Sequence, residues 1–246
     1  MQYRNMNKLF YLREYFFPSG CAGCSEPLLG YEEAFFGLCA PCRAIFESCY
    51  GNEKRCAYCG RLLVSEKDTC LSCRKAGAIE SGRYNERLVK LRSLFPYSGK
   101  YRSVLGSYKF MKSLGAGNFL GRFLILALQD LNLSGNTAWV PVPPRPGKIK
   151  KQGWDQIEYL AKLLDKKTPL NVCRCLKRLP SRSQKELNGE ERSTNLKGRI
   201  LCIKNPPETA IVFDDVITTG ATINVCSETL LNAGSKNVYG VCLFYK

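Results

Sequence analysis

The stretch Ile211-Val-Phe-Asp-Asp-Val-Ile-Thr-Thr-Gly-Ala-Thr222 determines how the second half of this chain folds. Its first three residues are an apolar run, which is typical of a strand buried in a parallel sheet. A helical pattern over 222–233 follows, ends at Gly234 and leads into a second apolar run over 238–244. This order of strand, loop, helix and strand predicts an α/β fold with a mostly parallel sheet and helices on both faces.

The polar residues of the stretch lie where open α/β sheets bind ligands, at the carboxyl end of a strand. Asp214 and Asp215 can accept hydrogen bonds from two adjacent sugar hydroxyls and can help to hold Mg²⁺. Gly220 lets a phosphate approach the backbone. The alternative is an acidic loop that only caps the following helix. The candidate phosphate-binding residues are Thr218, Thr219, Gly220, Ala221 and Thr222.

Three features of the composition are unusual for a chain of 246 residues: 14 cysteines, no histidine and a net charge of +16. Without histidine there is no Ser-His or Cys-His nucleophile pair and no imidazole metal ligand. Most hydrolase and protease mechanisms are therefore excluded, as is a glutamine amidotransferase that uses a base-activated cysteine.

No segment has the pattern of an export signal or a membrane span. Arg13 and Glu14 interrupt the apolar start of the chain, and no small-residue cleavage site follows. The most apolar stretch, 119–133, has about ten apolar residues where a span needs about 20, and it carries Arg122. We therefore expect a buried amphipathic helix there, and a cytoplasmic protein.

The cysteines form an internal repeat of four C-x2-C pairs within residues 21–73. A C-x2-C turn directs two thiolates to one point, and two such turns complete a tetrahedral zinc site with a structural role. The alternative, a cluster of disulfides, requires export. Spacing alone leaves open whether the pairs combine sequentially or interleave. The predicted ligands of two structural Zn²⁺ ions are Cys21, Cys24, Cys39, Cys42, Cys56, Cys59, Cys70 and Cys73.

The positive charge lies in the second part of the chain. Residues 1–80 carry a net charge of +1, residues 81–246 carry +15, and residues 145–199 alone carry +9. A solvated basic face is one explanation, but a surplus this large more often accompanies phosphates of a nucleotide or a nucleic acid. We therefore expect the second part of the chain to hold any polyanion.

The run 211–222 is similar to the phosphoribosyl pyrophosphate signature of type I phosphoribosyltransferases. Together with the paired C-x2-C motifs, the chain resembles, nearly end to end, the ComF family of competence proteins, whose members are often described as amidophosphoribosyltransferase-like. Further matching segments are Phe95-Pro-Tyr97, Tyr108-Lys-Phe110, Val140-Pro-Val-Pro143, Gln152-Gly-Trp-Asp-Gln156 and Ser183-Gln-Lys-Glu-Leu187, followed by Arg192 and Asn195.

The resemblance implies a role for each matching position. Asp214 and Asp215 would contact the ribose hydroxyls, and 218–222 would hold the 5′-phosphate. The turn 140–145 would be the pyrophosphate loop, with Arg145 near the leaving group. The segment from Arg182 to Arg192 would be a mobile loop over the site. The family pattern Arg-Gly-Phe-Asn-Gln is replaced by Gln152-Gly-Trp-Asp-Gln156, which removes positive charge that Lys150 and Lys151 can restore.

Two functions follow from the resemblance and the charge. The first is a cytosolic accessory factor in DNA uptake that binds single-stranded DNA, with other competence proteins as possible partners. The second is a metabolic phosphoribosyltransferase in nucleotide synthesis or salvage with an unidentified acceptor. Both use phosphoribosyl pyrophosphate or a related sugar phosphate with Mg²⁺. Trp154, among basic residues, is the predicted ring for stacking on a base.

The domain organisation follows from the change in composition. The cysteine pairs stop at residue 73, and Gly and Ala cluster over 75–82. We predict a double zinc ribbon over residues 1–78 and a phosphoribosyltransferase-like α/β domain over residues 79–246.

Overall fold

The computed structural model describes residues 19–51, 54–75, 88–129, 131, 133, 136–180 and 198–246. The helices of these ranges are α1 (Tyr31–Phe36), α2 (Ala40–Tyr50), α3 (Leu71–Lys75), α4 (Gly99–Phe110), α5 (Leu114–Gln129), α6 (Lys148–Gln152), α7 (Gln156–Lys167) and α8 (Ala221–Asn232). The strands are β1 (Leu88–Pro96), β2 (Thr137–Pro141), β3 (Leu176–Arg178), β4 (Ile200–Cys202), β5 (Thr209–Ile217) and β6 (Asn237–Tyr245).

Four of the strands form a parallel sheet in the order β1-β6-β5-β2. The strands β3 and β4 form a separate antiparallel pair, in which Arg178 lies opposite Ile200. Helices cover both faces of the sheet, and the cysteine-rich segment precedes it. The predicted fold class, an α/β fold with a mostly parallel sheet and helices on both faces, is confirmed.

Side chains of the central strand β5 alternate between two hydrophobic cores, as the pleat of a strand requires. Ile211 and Phe213 belong to an aromatic-rich core beneath α4, α5 and α7. Val212 and Ala210 belong to a second core, which α8 covers. Both cores also contain cysteines of the N-terminal segment, so the cysteine-rich part of the chain packs directly on the sheet.

The elements predicted around residues 211–222 lie within a few residues of the observed ones. The predicted strand over 211–213 is the centre of the longer strand β5, because residues 214–217 continue its pairing with β6 as far as Ile217 opposite Tyr245. The helix predicted over 222–233 is α8, and Gly234 follows it with a φ of 114°. The helix predicted within 119–133 is α5, which begins earlier, at Leu114.

Two predictions about the N-terminal part of the chain fall outside the described residues. The start of the chain, residues 1–18, is one, and the junction predicted within residues 75–82 is the other, because residues 76–87 are not described. The division into residues 1–78 and 79–246 therefore stays a prediction. Among the described helices, none is long and apolar enough to cross a membrane.

Candidate functional site

A cleft of about 720 Å³ lies at the carboxyl ends of two neighbouring strands. The strands β2 and β5 are paired in parallel, so the loops that follow them meet at one edge of the sheet. One wall of the cleft is the loop after β2, which includes Arg145, and the other is the loop over 218–220. The structure thus brings the predicted pyrophosphate loop and the predicted phosphate-binding loop to the same cleft.

The acidic pair lies on the floor of this cleft, near the end of β5. The side chain of Asp215 is almost fully buried and its Oδ2 accepts hydrogen bonds from Lys109 Nζ at 2.7 Å and from Gln156 Nε2 at 2.5 Å. Asp214 is half-buried, and its Oδ1 accepts the backbone N–H of Asp215 at 2.8 Å. Asp215 is therefore charge-compensated by the protein itself, whereas Asp214 makes no ion pair among the described residues.

The electrostatic state of Asp214 follows from these surroundings. Removal from water raises the pKa of the Asp214 carboxyl to about 7, and the neighbouring charge of Asp215 raises it in the same direction. Lys109 and Lys148 lower it only partly. A carboxylate held in this way gains from a ligand that brings hydrogen-bond donors or a cation into the cleft.

Asp155 has a structural role that the sequence did not predict, as the N-cap of α7 and the partner of Lys148. Its Oδ1 caps α7 by accepting the backbone N–H groups of Ile157 and Glu158, both at 2.9 Å, and its Oδ2 accepts from Lys148 Nζ at 2.6 Å. The carboxylate that replaces the family's asparagine is thus neutralised by Lys148. The expectation that Lys150 and Lys151 restore the positive charge lost beside the pyrophosphate loop stays a prediction.

The loop after β5 has the geometry that its glycine predicts. Gly220 has a φ of 81° and is the N-cap of the twelve-residue helix α8. A left-handed backbone there favours glycine, because other residues adopt it at a cost. The backbone N–H of Ala221 donates to Thr219 Oγ1 at 3.4 Å, and Thr218, Thr219 and Thr222 all line the cleft. The N-terminus of α8 therefore borders the cleft, and the N–H groups at a helix N-terminus can stabilise an anion.

Arg178 is a cleft residue that sequence analysis did not select. Its side chain is 92% buried, and its Nε and Nη2 atoms have no hydrogen-bond partner in the part of the chain that the structure describes. Burial lowers the pKa of this guanidinium, and the nearby charge of Arg145 lowers it further. A buried guanidinium without acceptors is costly unless a ligand supplies them.

Arg182 and Arg192, the two arginines of the predicted mobile loop, lie outside the described residues. Sequence analysis also assigned no role to Lys109, Lys148 and Gln156, although Lys109 stands in the quoted segment 108–110. Arg178 lies in the basic segment 145–199, whose net charge is its only signal in the sequence. Their positions in charged or family-like segments were the available signals.

The cysteine pairs combine sequentially, which settles the alternative that spacing left open. One tetrad is Cys21, Cys24, Cys39 and Cys42, the other is Cys56, Cys59, Cys70 and Cys73, and within each tetrad all four sulfur atoms lie within 4.8 Å of one another. All fourteen cysteines are free thiols.

The two tetrads have the dimensions of a tetrahedral zinc site. Zn–S bonds of about 2.3 Å place two ligand sulfurs about 3.8 Å apart in a tetrahedron. The Cys24 and Cys39 sulfurs are 3.6 Å apart, and the Cys59 and Cys70 sulfurs are 3.7 Å apart. Four thiolates at this distance repel one another unless a cation lies among them. The donors present therefore fit two zinc ions with closed, structural coordination.

Two known proteins with similar sequences are both competence proteins. No protein-family model matches the chain. Competence protein ComFC of Streptococcus pneumoniae is 27% identical over 206 residues, which cover 82% of this chain and 84% of that protein. Competence protein F of Haemophilus influenzae is 26% identical over 212 residues, covering 82% of this chain and 87% of that protein. Together with the paired cysteine tetrads and the α/β fold described above, these similarities support the resemblance of the chain to the ComF family.

Proposed function

We propose that this protein acts in natural competence, as a cytosolic accessory factor in DNA uptake, and that its cleft binds phosphoribosyl pyrophosphate or a related sugar phosphate. A competence-related function is supported by the names of both relatives, competence protein ComFC and competence protein F. The cytosolic location is supported by the free thiols of both tetrads, which a reducing compartment preserves as metal ligands.

One observation carries the ligand proposal: a buried guanidinium, whose Nε and Nη2 have no acceptor among the described residues, shares a cleft with an acidic pair. Arg178, together with Arg145, offers an anion-binding end of the cleft, and Asp214 offers an acceptor for hydroxyl groups. A molecule that satisfies both carries phosphate groups and adjacent hydroxyls. A phosphorylated ribose has this combination, and the loop 218–222 adds a second place for phosphate.

The donor set of the cleft fits a magnesium ion that enters with the ligand. Among the described residues, no three carboxylate or cysteine groups of the cleft lie close enough together to hold a metal ion, so the protein alone provides no complete coordination shell. Mg²⁺ commonly keeps several waters and binds one or two carboxylates together with substrate phosphates. Asp214 would be its carboxylate ligand, and the ion would neutralise charge on the pyrophosphate.

The reaction for which this cleft is suited is displacement of pyrophosphate from the anomeric carbon of the sugar. The developing charge resides on the leaving group, so the protein's task is to neutralise it with fixed cations and to exclude water. Arg145 and Arg178 would contact the leaving pyrophosphate, and Arg182 and Arg192 would do so from the predicted mobile loop. Asp215, held by Lys109, would keep one ribose hydroxyl in place. None of these roles requires histidine.

Titration of the purified protein with phosphoribosyl pyrophosphate and Mg²⁺ in a calorimeter tests the proposed ligand. We expect saturable binding that is lost in Asp214→Asn/Asp215→Asn. We also expect Arg178→Gln to weaken binding at least tenfold, because charged hydrogen bonds contribute about 1.5–3 kcal/mol. The matched controls are Glu228→Gln on the exposed face of α8 and Lys177→Gln on β3, which should bind like the wild type. Absence of heat with the wild-type protein would refute the proposal.

Binding should also depend on pH. If the ligand needs the ionised Asp214, its affinity should rise between about pH 6 and about pH 8, because the pKa of this carboxyl is about 7. The groups that face it and set this value are Asp215, Lys109 and Lys148. A flat profile over this range would indicate that the ligand does not contact Asp214.

The proposal for DNA rests on the basic second part of the chain. The charge of +15 over residues 81–246 supports binding of single-stranded DNA at its phosphates. Affinity for a labelled oligothymidylate should fall steeply with salt, with a slope of about −0.7 for each phosphate neutralised. A protein that neutralises about six phosphates loses roughly 300-fold between about 50 mM and about 200 mM salt. Binding that hardly changes over this range would contradict this role.

A second candidate function is a phosphoribosyltransferase in nucleotide synthesis or salvage. It is favoured by the cleft volume of about 720 Å³, which leaves room for an acceptor beside a sugar phosphate. It predicts Mg²⁺-dependent release of pyrophosphate with one member of a panel of bases and amines. Binding of phosphoribosyl pyrophosphate without any turnover across the panel would leave the competence role as the better account.

A further inference from the structure

Phe110 places an exposed aromatic ring in a cleft whose other described lining residues are aliphatic, polar or charged. Its side chain is 74% exposed, and it is the only aromatic residue among the described residues that line the cleft. It is the last residue of α4 and directly follows Lys109, whose Nζ is paired with Asp215 at 2.7 Å. The ring therefore lines the same cleft as the acidic pair, on the wall of the proposed sugar-phosphate site.

The aromatic residue that the sequence favoured for this role is engaged elsewhere. The indole N–H of Trp154 donates to the backbone carbonyl of Lys109 at 3.4 Å. Its ring packs edge-on against Tyr108, with ring centroids 5.3 Å apart, and lies 6.2 Å from Tyr159. Trp154 thus packs against the end of α4 and does not line the cleft. Phe110 is the aromatic side chain of the described lining that a ligand can contact.

The charges around Phe110 limit what the ligand can be. Five cationic side chains line the cleft against three carboxylates, so the ligand that fits best is anionic. The lining cations are Lys109, Arg145, Lys148, Lys151 and Arg178. An anionic ligand that also covers an exposed flat ring carries a planar, apolar surface of its own, and nucleobases and related heterocycles combine such a surface with phosphate.

We propose that Phe110 is the stacking surface for a planar aromatic heterocycle that is bonded to, or reacts with, the sugar phosphate held in the cleft. This inference rests on the proposed function, because it adds an acceptor class to the same site. The backbone that carries the ring is fixed by its neighbours: Lys109 is paired with Asp215, and the helix α4 ends at Phe110, shortly before the left-handed Lys112 with a φ of 57°.

The test compares ligands with and without the heterocycle. AMP and ribose 5-phosphate share the sugar and the 5′-phosphate, and only AMP has a base. We expect AMP to bind the wild-type protein about 5- to 150-fold more tightly than ribose 5-phosphate, the range that stacking on one aromatic side chain provides. Phe110→Ala should remove this difference, Phe110→Tyr should keep it, and both should bind ribose 5-phosphate like the wild type.

Met111 provides the matched control. It is 79% exposed and adjacent to Phe110 in the chain, but it does not line the cleft. Met111→Ala removes a similar apolar area from the same turn and should leave both affinities unchanged. An equal loss in Met111→Ala and Phe110→Ala would overturn the proposal, because it would indicate a general effect on the end of α4.

The heterocycle can come from a small molecule or from a DNA strand, and a second comparison separates these sources. An oligothymidylate and the same strand with abasic sites differ only in their bases. If Phe110→Ala reduces the preference for AMP alone, the ring serves a free nucleotide or base; if it reduces the preference for the intact strand, the ring serves DNA. Either result supports stacking by Phe110.

Failure of this inference and failure of the proposed function give different results. Equal binding of AMP and ribose 5-phosphate to the wild type, together with equal binding of intact and abasic strands, would overturn the stacking role and leave the sugar-phosphate site standing. Lack of binding of both ribose 5-phosphate and phosphoribosyl pyrophosphate would overturn the site itself, and the stacking proposal with it.

Discussion

The two cysteine tetrads share a local structure that repeats at a spacing of 35 residues, although little of the sequence around the cysteines repeats. The backbone N–H of Cys21 donates to Glu26 O, and that of Cys56 donates to Arg61 O, both at 2.8 Å. Strand-like bridges join Gly20 to Pro27 and Arg55 to Leu62. Metal-ligand geometry therefore imposes the same turn on two sequences that otherwise differ.

The second half of each tetrad repeats as well. The N–H of Cys39 donates to Cys21 Sγ at 3.4 Å, and the N–H of Cys70 donates to Cys56 Sγ at the same distance. Each third cysteine directly precedes a helix, α2 in the first tetrad and α3 in the second. Four more residues separate the pairs in the first tetrad, and the helix α1 lies within that longer connection.

The tetrads differ in what surrounds them. Cys24 is exposed and Cys39 is half-buried, and the first tetrad packs on the aromatic core. All four cysteines of the second tetrad are buried in the core on the other face of the sheet. Ser25 and Gly60 occupy the same place in the repeat with φ values of 68° and 69°, but only Gly60 lies against the backbone of β1. One metal-binding turn is thus adapted to a solvent-facing site and to a buried site.

Removal of one cysteine from each tetrad should show the largest difference in stability between the two sites. We expect Cys59→Ser to reduce the free energy of unfolding by about 4 kcal/mol or more, since it removes a structural metal ligand from the core. Cys24→Ser should cost about half as much, because water can take the position of an exposed ligand. Urea unfolding of the zinc-loaded proteins measures both.

Zinc release provides the control for this prediction. A chromophoric chelator should remove zinc from the wild type in two phases, and the fast phase should be absent or faster in Cys24→Ser while the slow phase is unchanged. If the two cysteine variants lose equal stability, or if release has a single phase, burial does not distinguish the tetrads.

Exchange of the residues at the shared left-handed position should have the next largest effect. A Cβ on Gly60 would lie 2.6 Å from Arg92 Cα and 2.7 Å from Leu91 O, so the backbone of β1 would have to move. We expect Gly60→Ser to cost about 3 kcal/mol, from contact and left-handed strain together. The reciprocal Ser25→Gly should change stability by less than about 1 kcal/mol. Thermal unfolding of both variants tests this. Equal losses of stability would contradict the conclusion that only the second tetrad packs against the backbone of β1 at this position.

Arg55 explains how the second tetrad is held on the sheet. Its guanidinium donates to Gly60 O at 3.1 Å and to Ser93 O at 2.9 Å, and it has further carbonyl acceptors in Leu94, Cys49 and Tyr50. The first tetrad has Gly20 at the equivalent position. We expect Arg55→Lys to cost about 2 kcal/mol, because one ammonium cannot reach this set of carbonyls. The exposed Arg74→Lys is the control, and a similar effect there would refute the role of Arg55.

The sequence predicted what depends on local patterns and missed what depends on distant partners. Cysteine spacing identified all eight residues of the two tetrads, and the run 211–222 placed β5, its loop and α8 within a few residues. Spacing did not determine how the pairs combine, because either arrangement closes a tetrahedron. Lys109 and Gln156 donate hydrogen bonds to Asp215, from which they are separated by 106 and 59 positions in the sequence. No local sequence pattern predicts such contacts.

Arg178 and Phe110 also show that the sequence does not predict features that depend on distant parts of the chain. In the sequence, Arg178 is one of several basic residues, and Phe110 is one of twelve phenylalanines. Only the fold shows that the guanidinium is buried, with two nitrogens that lack an acceptor in the described part of the chain, and that the ring is exposed in the cleft. Chemical type is visible in a sequence, whereas burial and exposure at one site result from the packing of elements far apart in the chain.

The smallest effect concerns two glutamates that act alike in the two tetrads. Glu33 accepts the N–H groups of Leu29 and Ala40, and Glu66 accepts those of Val64 and Leu71, so each carboxylate joins the turn to the helix that follows the third cysteine. Its own backbone N–H, followed by those of Val64 and Leu71, lowers the pKa of the Glu66 carboxyl, and the N–H groups of Ala40 and Leu29 lower that of Glu33.

The stabilisation by these glutamates should therefore be present above the unfolded-state pKa of about 4.3 and be lost as the pH falls through the lower folded-state value. Glu33→Gln and Glu66→Gln should each lower the unfolding midpoint slightly at neutral pH, by similar amounts, and the difference from wild type should shrink below about pH 4. Unfolding curves at both pH values test this. Equal small effects would indicate that the carboxylate belongs to the repeated turn itself, and an effect confined to one tetrad would assign it to that tetrad's surroundings.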